Sequence, residues 1–182
     1  EFKKVPCLAL TATATNKVVN EISDKLGLHE TKIFRQSFRR DNLNVIVEDI
    51  SDKYNRILQF LNQNPASGII YSRTRKEAEA LTDFLKNNNF PNVDFYHAGL
   101  PATEKERLQK KWISGRFHVL VSTNAFGMGI DKDNVKFVIH LSPSSTIENY
   151  YQEIGRGGRN GDEAIALLLW NNQELADIDD MF

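Results

Sequence analysis

Short apolar runs alternate with amphipathic stretches along almost the whole chain, which is the pattern of βαβ units built on a parallel sheet. Val5–Leu10, Val45–Ile50, Gly68–Tyr71, Val93–Tyr96, His118–Val121, Lys136–Leu141 and Ala164–Trp170 read as buried strands. Several are continuously hydrophobic rather than alternating, as expected where helices cover both faces. The intervening segments carry helix punctuation. Thr74-Arg-Lys-Glu77 is a capping box ahead of Ala78, Leu81 and Leu85, and Ser145-Thr-Ile-Glu148 is another ahead of Tyr150, Tyr151 and Ile154. Gly115 closes the helix that contains Leu108 and Trp112. The fold class expected is α/β with a mostly parallel central sheet.

The 182 residues are enough for one domain with a real core and a fragment of a neighbour. The polar stretch Ser37–Asn42 is the one internal boundary the pattern offers, with a strand–helix–strand piece before it and an α/β unit of domain size after it. A net charge of −1 means that any grip on phosphates comes from local clusters, not from the surface as a whole. No apolar run approaches the roughly 20 residues that span a bilayer, so no membrane partner is expected. The single cysteine, Cys7, sits in an apolar run and reads as core; alone it provides neither an intrachain disulfide nor a zinc cluster, so no zinc is expected in this segment. The setting expected is reducing: cytoplasmic in a bacterium, nuclear in a eukaryote. The abrupt start at Glu1 and the acidic, helix-like stretch Glu174–Asp180 read as the edges of a piece of a longer protein.

Ligands of open parallel sheets gather at the carboxyl ends of the strands. Ser72-Arg73, His97-Ala98-Gly99 and Ser122–Asp131 each follow a strand, and the second capping box, leading to Gln152 and Arg156, follows a fourth; all four are expected on one rim. Gly127 and Gly129 permit a sharp turn and a close approach to a phosphate or a partner lobe, although such a pair is often only a turn. Gln152, Arg156 and Arg159 are spaced to share a helical face, but Gly155, Gly157 and Gly158 fray it, so Arg159 is equally compatible with a following loop. Two guanidinium groups so held suit the spread charge of a phosphoryl group. The plainer alternative is a solvated basic face paired with Glu153, Asp162 and Glu163. His97 reads first as a satisfied turn histidine, Trp112 and Trp170 as packing, and Lys105, Arg107, Lys110 and Lys111, interleaved with Glu104 and Glu106, as a solvated helix face.

Taken in order, the motifs resemble RecQ-type DNA helicases of superfamily two. Leu10–Ala14 resembles motif III, Gly68–Lys76 motif IV, Tyr96–Gly99 the short motif after the next strand, Val121–Asp131 motif V and Tyr150–Arg159 motif VI. The resemblance spans nearly the whole chain. It implies a three-layer RecA-like domain of the P-loop NTPase type over 42–182, a linker at 37–41, and the tail of a first lobe over 1–36. It implies that Arg159, as arginine finger, and Arg156 are catalytic, that Gln152, Asp131 and Gly129 face the nucleotide, and that Ser72, Arg73, His97, Gly99, Thr123 and Asn124 contact the backbone of single-stranded DNA. Two departures stand out: Ser72 occupies the usual cysteine position, and Gly157 a position where such proteins often carry alanine.

The sequence contains no GxxxxGK[ST] and no Asp-Glu-x-His, the segments that cradle phosphates and hold magnesium in P-loop NTPases. By the resemblance, ATP with Mg is held mainly by a first lobe, the partners are that lobe and DNA as single strand and duplex fork, and this chain is inactive alone. A DEAD-box RNA helicase lobe is the first alternative, although Tyr150-Tyr151-Gln152 replaces the opening of its HRxGRxGR motif. A RecA-like module that binds nucleic acid or a partner without catalysis is the second.

Overall fold

The computed structural model describes residues 7–11, 14–28, 32–35, 37, 39–126 and 132–171. The chain divides into two compact units, Glu1–Arg40 and Asp41–Phe182.

In the first unit, helix α1 (Asn16–Leu26) starts where Thr15 Oγ1 accepts from Val18 N and ends at Gly27. It has no buried residue. The strand expected over Val5–Leu10 is not found: 5–6 lie outside the described residues, and 7–10 are exposed and without regular structure. Cys7, expected in a core, is exposed. The reason is physical: an apolar run becomes a buried strand only against a paired neighbour and a covering layer, and this unit supplies neither to it among the described residues.

The second unit runs β1 (Leu43–Asp49), α2 (Lys53–Gln63), β2 (Ser67–Tyr71), α3 (Arg75–Asn87), β3 (Val93–Tyr96), α4 (Ala102–Ile113), β4 (Val119–Ser122), β5 (Val135–His140), α5 (Ile147–Ile154) and β6 (Ala164–Trp170). Among the described residues the six strands form one sheet in the order β1-β6-β5-β2-β4-β3, with every pairing parallel. The α/β class expected from the periodicity is therefore the class observed. One face of the sheet is covered by α2 and α3 through Ile57, Phe60, Leu61, Ala78, Leu81 and Leu85. The other packs Leu108 and Trp112 of α4 against Tyr71, Tyr96, Phe126 and Val138. The edge strand β1 departs from the expectation of full burial, with Val45 51% and Val47 58% exposed. An edge strand lacks a neighbour on one side, so its outer face depends on cover that central strands receive from both layers.

The helix punctuation is largely as expected. Thr74 caps α3, its Oγ1 accepting from Glu77 N at 3.1 Å, while the Glu77 carboxylate reaches back to Arg73 N at 2.8 Å. Thr74→Ala is expected to cost about 1 kcal/mol of folding stability, the ordinary price of a lost N-cap, read from the urea midpoint. The second box is displaced by one residue: Thr146, not Ser145, caps α5 by accepting from Asn149 N at 3.1 Å, and Ser145 Oγ instead accepts from the Asn149 amide.

Candidate functional site

Strands β2 and β5 are neighbours, but the chain leaves them in opposite directions. From β2 it enters α3 on one face; from β5 it enters α5, whose Tyr150 packs on His140 on the other. The register pairs Tyr71 with His140 at the carboxyl ends of these two strands. A sheet splits its connections in this way at a topological switch point, which leaves a crevice where ligands of α/β proteins bind.

Three loops meet at that rim, and hydrogen bonds to main-chain carbonyls lock them together. Ser72 N donates to Ser122 O at 2.8 Å, Thr123 N to Tyr96 O at 3.3 Å, and Ser122 Oγ to Tyr96 O at 2.8 Å. Of the residues expected to meet nucleic acid, Ser72, His97 and Thr123 are buried, whereas Arg73, Gly99 and Asn124 are exposed. The buried three hold the loops. Ser72 Oγ donates to Thr74 O, and His97 Nε2 meets the Glu79 carboxylate at 2.8 Å while Phe95 stacks on the ring. The turn histidine is only half satisfied, because its Nδ1 is buried without a partner among the described residues. Gly99 is a close approach: a Cβ there would stand 2.7 Å from Arg75 Nη1. Arg75 thus lies across the Gly99 backbone, a basic group on this rim that spacing alone did not single out.

The arginine-bearing segment differs from the sequence expectation in two respects. Helix α5 ends at Ile154, so Arg156 as well as Arg159 lies beyond it, in successive tight turns where Arg156 N donates to Glu153 O at 3.2 Å and Gly157 N to Ile154 O at 3.0 Å. The chain also runs back from the rim: the cap at Thr146 is near the carboxyl end of β5, but Gly158 N donates to Val135 O at its amino end. The segment after Ile154 therefore runs back along the sheet, and by Gly158 it has reached the amino end of β5. Glycines make the return possible. Gly158 has φ +59°, and a Cβ there would meet Asp162 O at 2.5 Å; one at Gly157 would meet the Ala164 Cβ at 3.2 Å.

The return brings Arg156 to Tyr71. Arg156 is close enough to the Tyr71 hydroxyl for its charge to act on it, and Arg159 acts on the same hydroxyl more weakly. Burial holds the Tyr71 hydroxyl well above the usual phenol range, and the two arginines offset part of that rise. The hydroxyl itself donates to Phe126 O at 3.2 Å, in the loop that carries Thr123 and Asn124. Arg156 Nε is buried without a partner among the described residues. Gln152 and Arg159 are exposed. Gly129 and Asp131 lie outside the described residues. Two of the three carboxylates offered to a solvated basic face are otherwise engaged: Glu153 by His140 and Ser144, Asp162 by Lys136 and Asn160.

The family described as "Helicase conserved C-terminal domain" matches residues 52–161, from the start of α2 to just past Arg159. The chain belongs to that family. This helicase C-terminal domain is 42% identical over 170 residues to "RecQ-like DNA helicase blm-1" of Caenorhabditis elegans, covering 92% of this chain and 17% of the relative. It is 38% identical over 182 residues to "ATP-dependent DNA helicase Q-like 2" of Arabidopsis thaliana, covering 96% of this chain and 26% of the relative. The domain is thus of RecQ type. It spans less than a third of the length of the first relatives it matches. A solved structure, "S. cerevisiae Dbp5 bound to RNA and ADP BeF3", superposes with a TM-score of 0.76 over 94% of this chain and 46% of that one, at 23% identity, a likeness of fold alone.

Several residues of the helicase domain's site escaped sequence reasoning. Tyr71, His140, Ser144 and Glu153 converge around the switch point, and Lys132 holds α4 by donating to Trp112 O at 2.7 Å with its ammonium 4.9 Å from the indole centre. The available signal was a histidine ending the apolar run Val135–His140, beside a carboxylate adjacent to Gln152. Among the described residues no helix is long and apolar enough to cross a membrane, and no cluster of potential metal ligands is present.

Proposed function

We propose that this domain is the second motor lobe of a 3′–5′ ATP-dependent DNA helicase, that residues 1–36 are the tail of its first lobe, joined through 37–41, and that the chain is inactive in hydrolysis by itself. The observation that carries the reading is the convergence at Tyr71: its hydroxyl donates to the Phe126 carbonyl of the loop bearing Thr123 and Asn124 and lies in the field of Arg156. A motor lobe needs such a link between its nucleotide side and its nucleic-acid side.

The residues present fit the outer arms of a nucleotide site. Arg156 and Arg159 both act through charge on the Tyr71 hydroxyl, and the buried Arg156 Nε–H has no partner among the described residues. Gln152 completes that arm in our reading, which also assigns Gly129 and Asp131, outside the described residues, to the nucleotide. ATP with magnesium, held mainly by the first lobe, supplies the phosphoanhydride whose hydrolysis drives movement. Arg156 and Arg159 neutralise charge on the transferring phosphoryl group and draw the lobes together. When the phosphate leaves, the arginines lose their counter-charge and the lobes part.

Arg73, Gly99 and Asn124 present exposed groups to the DNA backbone, while Ser72, His97 and Thr123 set the main chain beneath them. Contacts of this kind are sequence-neutral and salt-dependent. Alternating grip between two lobes then moves the protein along one strand and displaces the other at the fork.

Arg73→Ala in the two-lobe parent protein should weaken single-stranded DNA binding uniformly across sequences and lower the slope of log K against log salt by about 1. An unchanged slope removes Arg73 from the interface. The nucleotide half is tested separately by Arg159→Ala, which should depress DNA-stimulated hydrolysis far more than DNA affinity.

A further inference from the structure

Glu153 joins three elements through one side chain and one carbonyl. Its Oε2 accepts from His140 Nε2 at 2.9 Å and from Ser144 Oγ at 2.6 Å, and its main-chain oxygen accepts from Arg156 N at 3.2 Å. The carboxylate is 13% exposed and the imidazole 2%. His140 ends β5, Ser144 lies in the loop before the cap, and Glu153 occupies the last turn of α5. The imidazole stacks on Tyr71, with centroids 5.1 Å apart at 21°, and Tyr150 packs on it at 4.9 Å. Nε2 faces a carboxylate, so it carries the proton; in the neutral ring Nδ1 then bears none, and that atom is buried without a partner among the described residues. One side of the assembly therefore runs Glu153–His140–Tyr71, with the Tyr71 hydroxyl in the field of Arg156, and a direct path runs from the Glu153 carbonyl to the Arg156 N–H.

We propose that Glu153 is a positioning residue, clamping His140 and Ser144 so that the turn after α5 delivers the Arg156 guanidinium to its working place beside Tyr71. The inference rests on the nucleotide role given to Arg156 above, and adds to it a part for a residue outside the nucleotide and DNA sets named there. The energetic logic is local. Two donors converge on one carboxylate oxygen in a nearly dry site, where charge-assisted bonds are strong and loss of the acceptor strands both donors. A glycine-rich turn has little stiffness of its own, so the position of Arg156 is set by what anchors the residues before it.

The test compares Glu153→Ala, Glu153→Gln, Ser144→Ala, Arg156→Ala and the Glu153→Ala/Arg156→Ala pair in the two-lobe parent protein. We expect Glu153→Ala to lower kcat for DNA-stimulated ATP hydrolysis by about 10- to 100-fold, the scale of an ångström-level misplacement, with the KM for ATP nearly unchanged. Glu153→Gln keeps an oxygen able to accept both bonds and should recover to within a few-fold of wild type. The double variant should be no slower than Arg156→Ala alone. A kcat for Glu153→Ala within two-fold of wild type, or losses that multiply in the double variant, overturns the proposal. Should Glu153→Ala fail to fold, Ser144→Ala carries the same comparison: removing one donor leaves the His140 bond, and its smaller loss must likewise vanish in the Arg156→Ala background. Arg156→Ala at the wild-type rate refutes the nucleotide role itself, a failure distinguishable from an Arg156→Ala that abolishes hydrolysis beside a Glu153→Ala that does not.

Discussion

Replacing Arg159 by alanine in the two-lobe parent protein is expected to lower kcat for DNA-stimulated ATP hydrolysis by about 10³-fold or more, the range found for arginine fingers in related NTPases. That is about 4 kcal/mol of transition-state stabilisation. The size follows from what the side chain has to do. Arg159 is exposed, so its removal leaves the fold within about 0.5 kcal/mol of the original stability. It also stands close enough to Arg156 for both to act on the same Tyr71 hydroxyl. A guanidinium in that place can meet two phosphoryl oxygens at once, which a compact ammonium cannot, so Arg159→Lys should restore little. Steady-state kinetics decide the matter: a rate within a few-fold of wild type at saturating ATP and DNA removes the finger assignment.

Trp112→Ala should have the largest effect on stability, about 3–5 kcal/mol, as for other large buried aromatics, with a fall in Tm of roughly 10 °C for a domain of this size. The indole is 1% exposed and meets Phe126 edge-on at 5.3 Å, and Phe126 in turn meets Tyr96 at 4.9 Å. Above it sits the Lys132 ammonium, whose proton affinity burial lowers. Truncation would leave a cavity beneath that charge and loosen Phe126, whose carbonyl receives the Tyr71 hydroxyl. Thermal unfolding separates this from a role in base stacking: a tryptophan serving DNA would leave Tm unchanged when lost and weaken DNA affinity instead.

Helix α4 is as its local periodicity predicts. Leu108 and Trp112 recur at helical spacing, and a local period is a statement about one element's own buried stripe. The same is true of the cap at Thr74 and of β3 and β6, whose observed bounds coincide with their apolar runs. The displaced cap at Thr146 marks the limit of such reasoning, because adjacent Ser145 and Thr146 both offer a hydroxyl and the loop from β5 decides between them. Cys7 and Val45 mark a different limit. Both lie in apolar runs, yet burial is a property of what covers a residue, and neither run carries that information.

By itself the sequence determined the elements from β1 onward, their α/β alternation, the motif order and the family, since each depends on residues near one another in the chain. Only the tertiary structure decided that Ser72, His97 and Thr123 are fasteners while Arg73, Gly99 and Asn124 face outward, and that Tyr71, His140 and Glu153 meet beside Arg156. The sheet order β1-β6-β5-β2-β4-β3 sets β2 against β5, two strands separated in the chain by β3 and β4. Hydrophobic periodicity states which face of a strand is buried but not which strand lies beside it, so a site made at such a junction takes form only when the sheet is assembled.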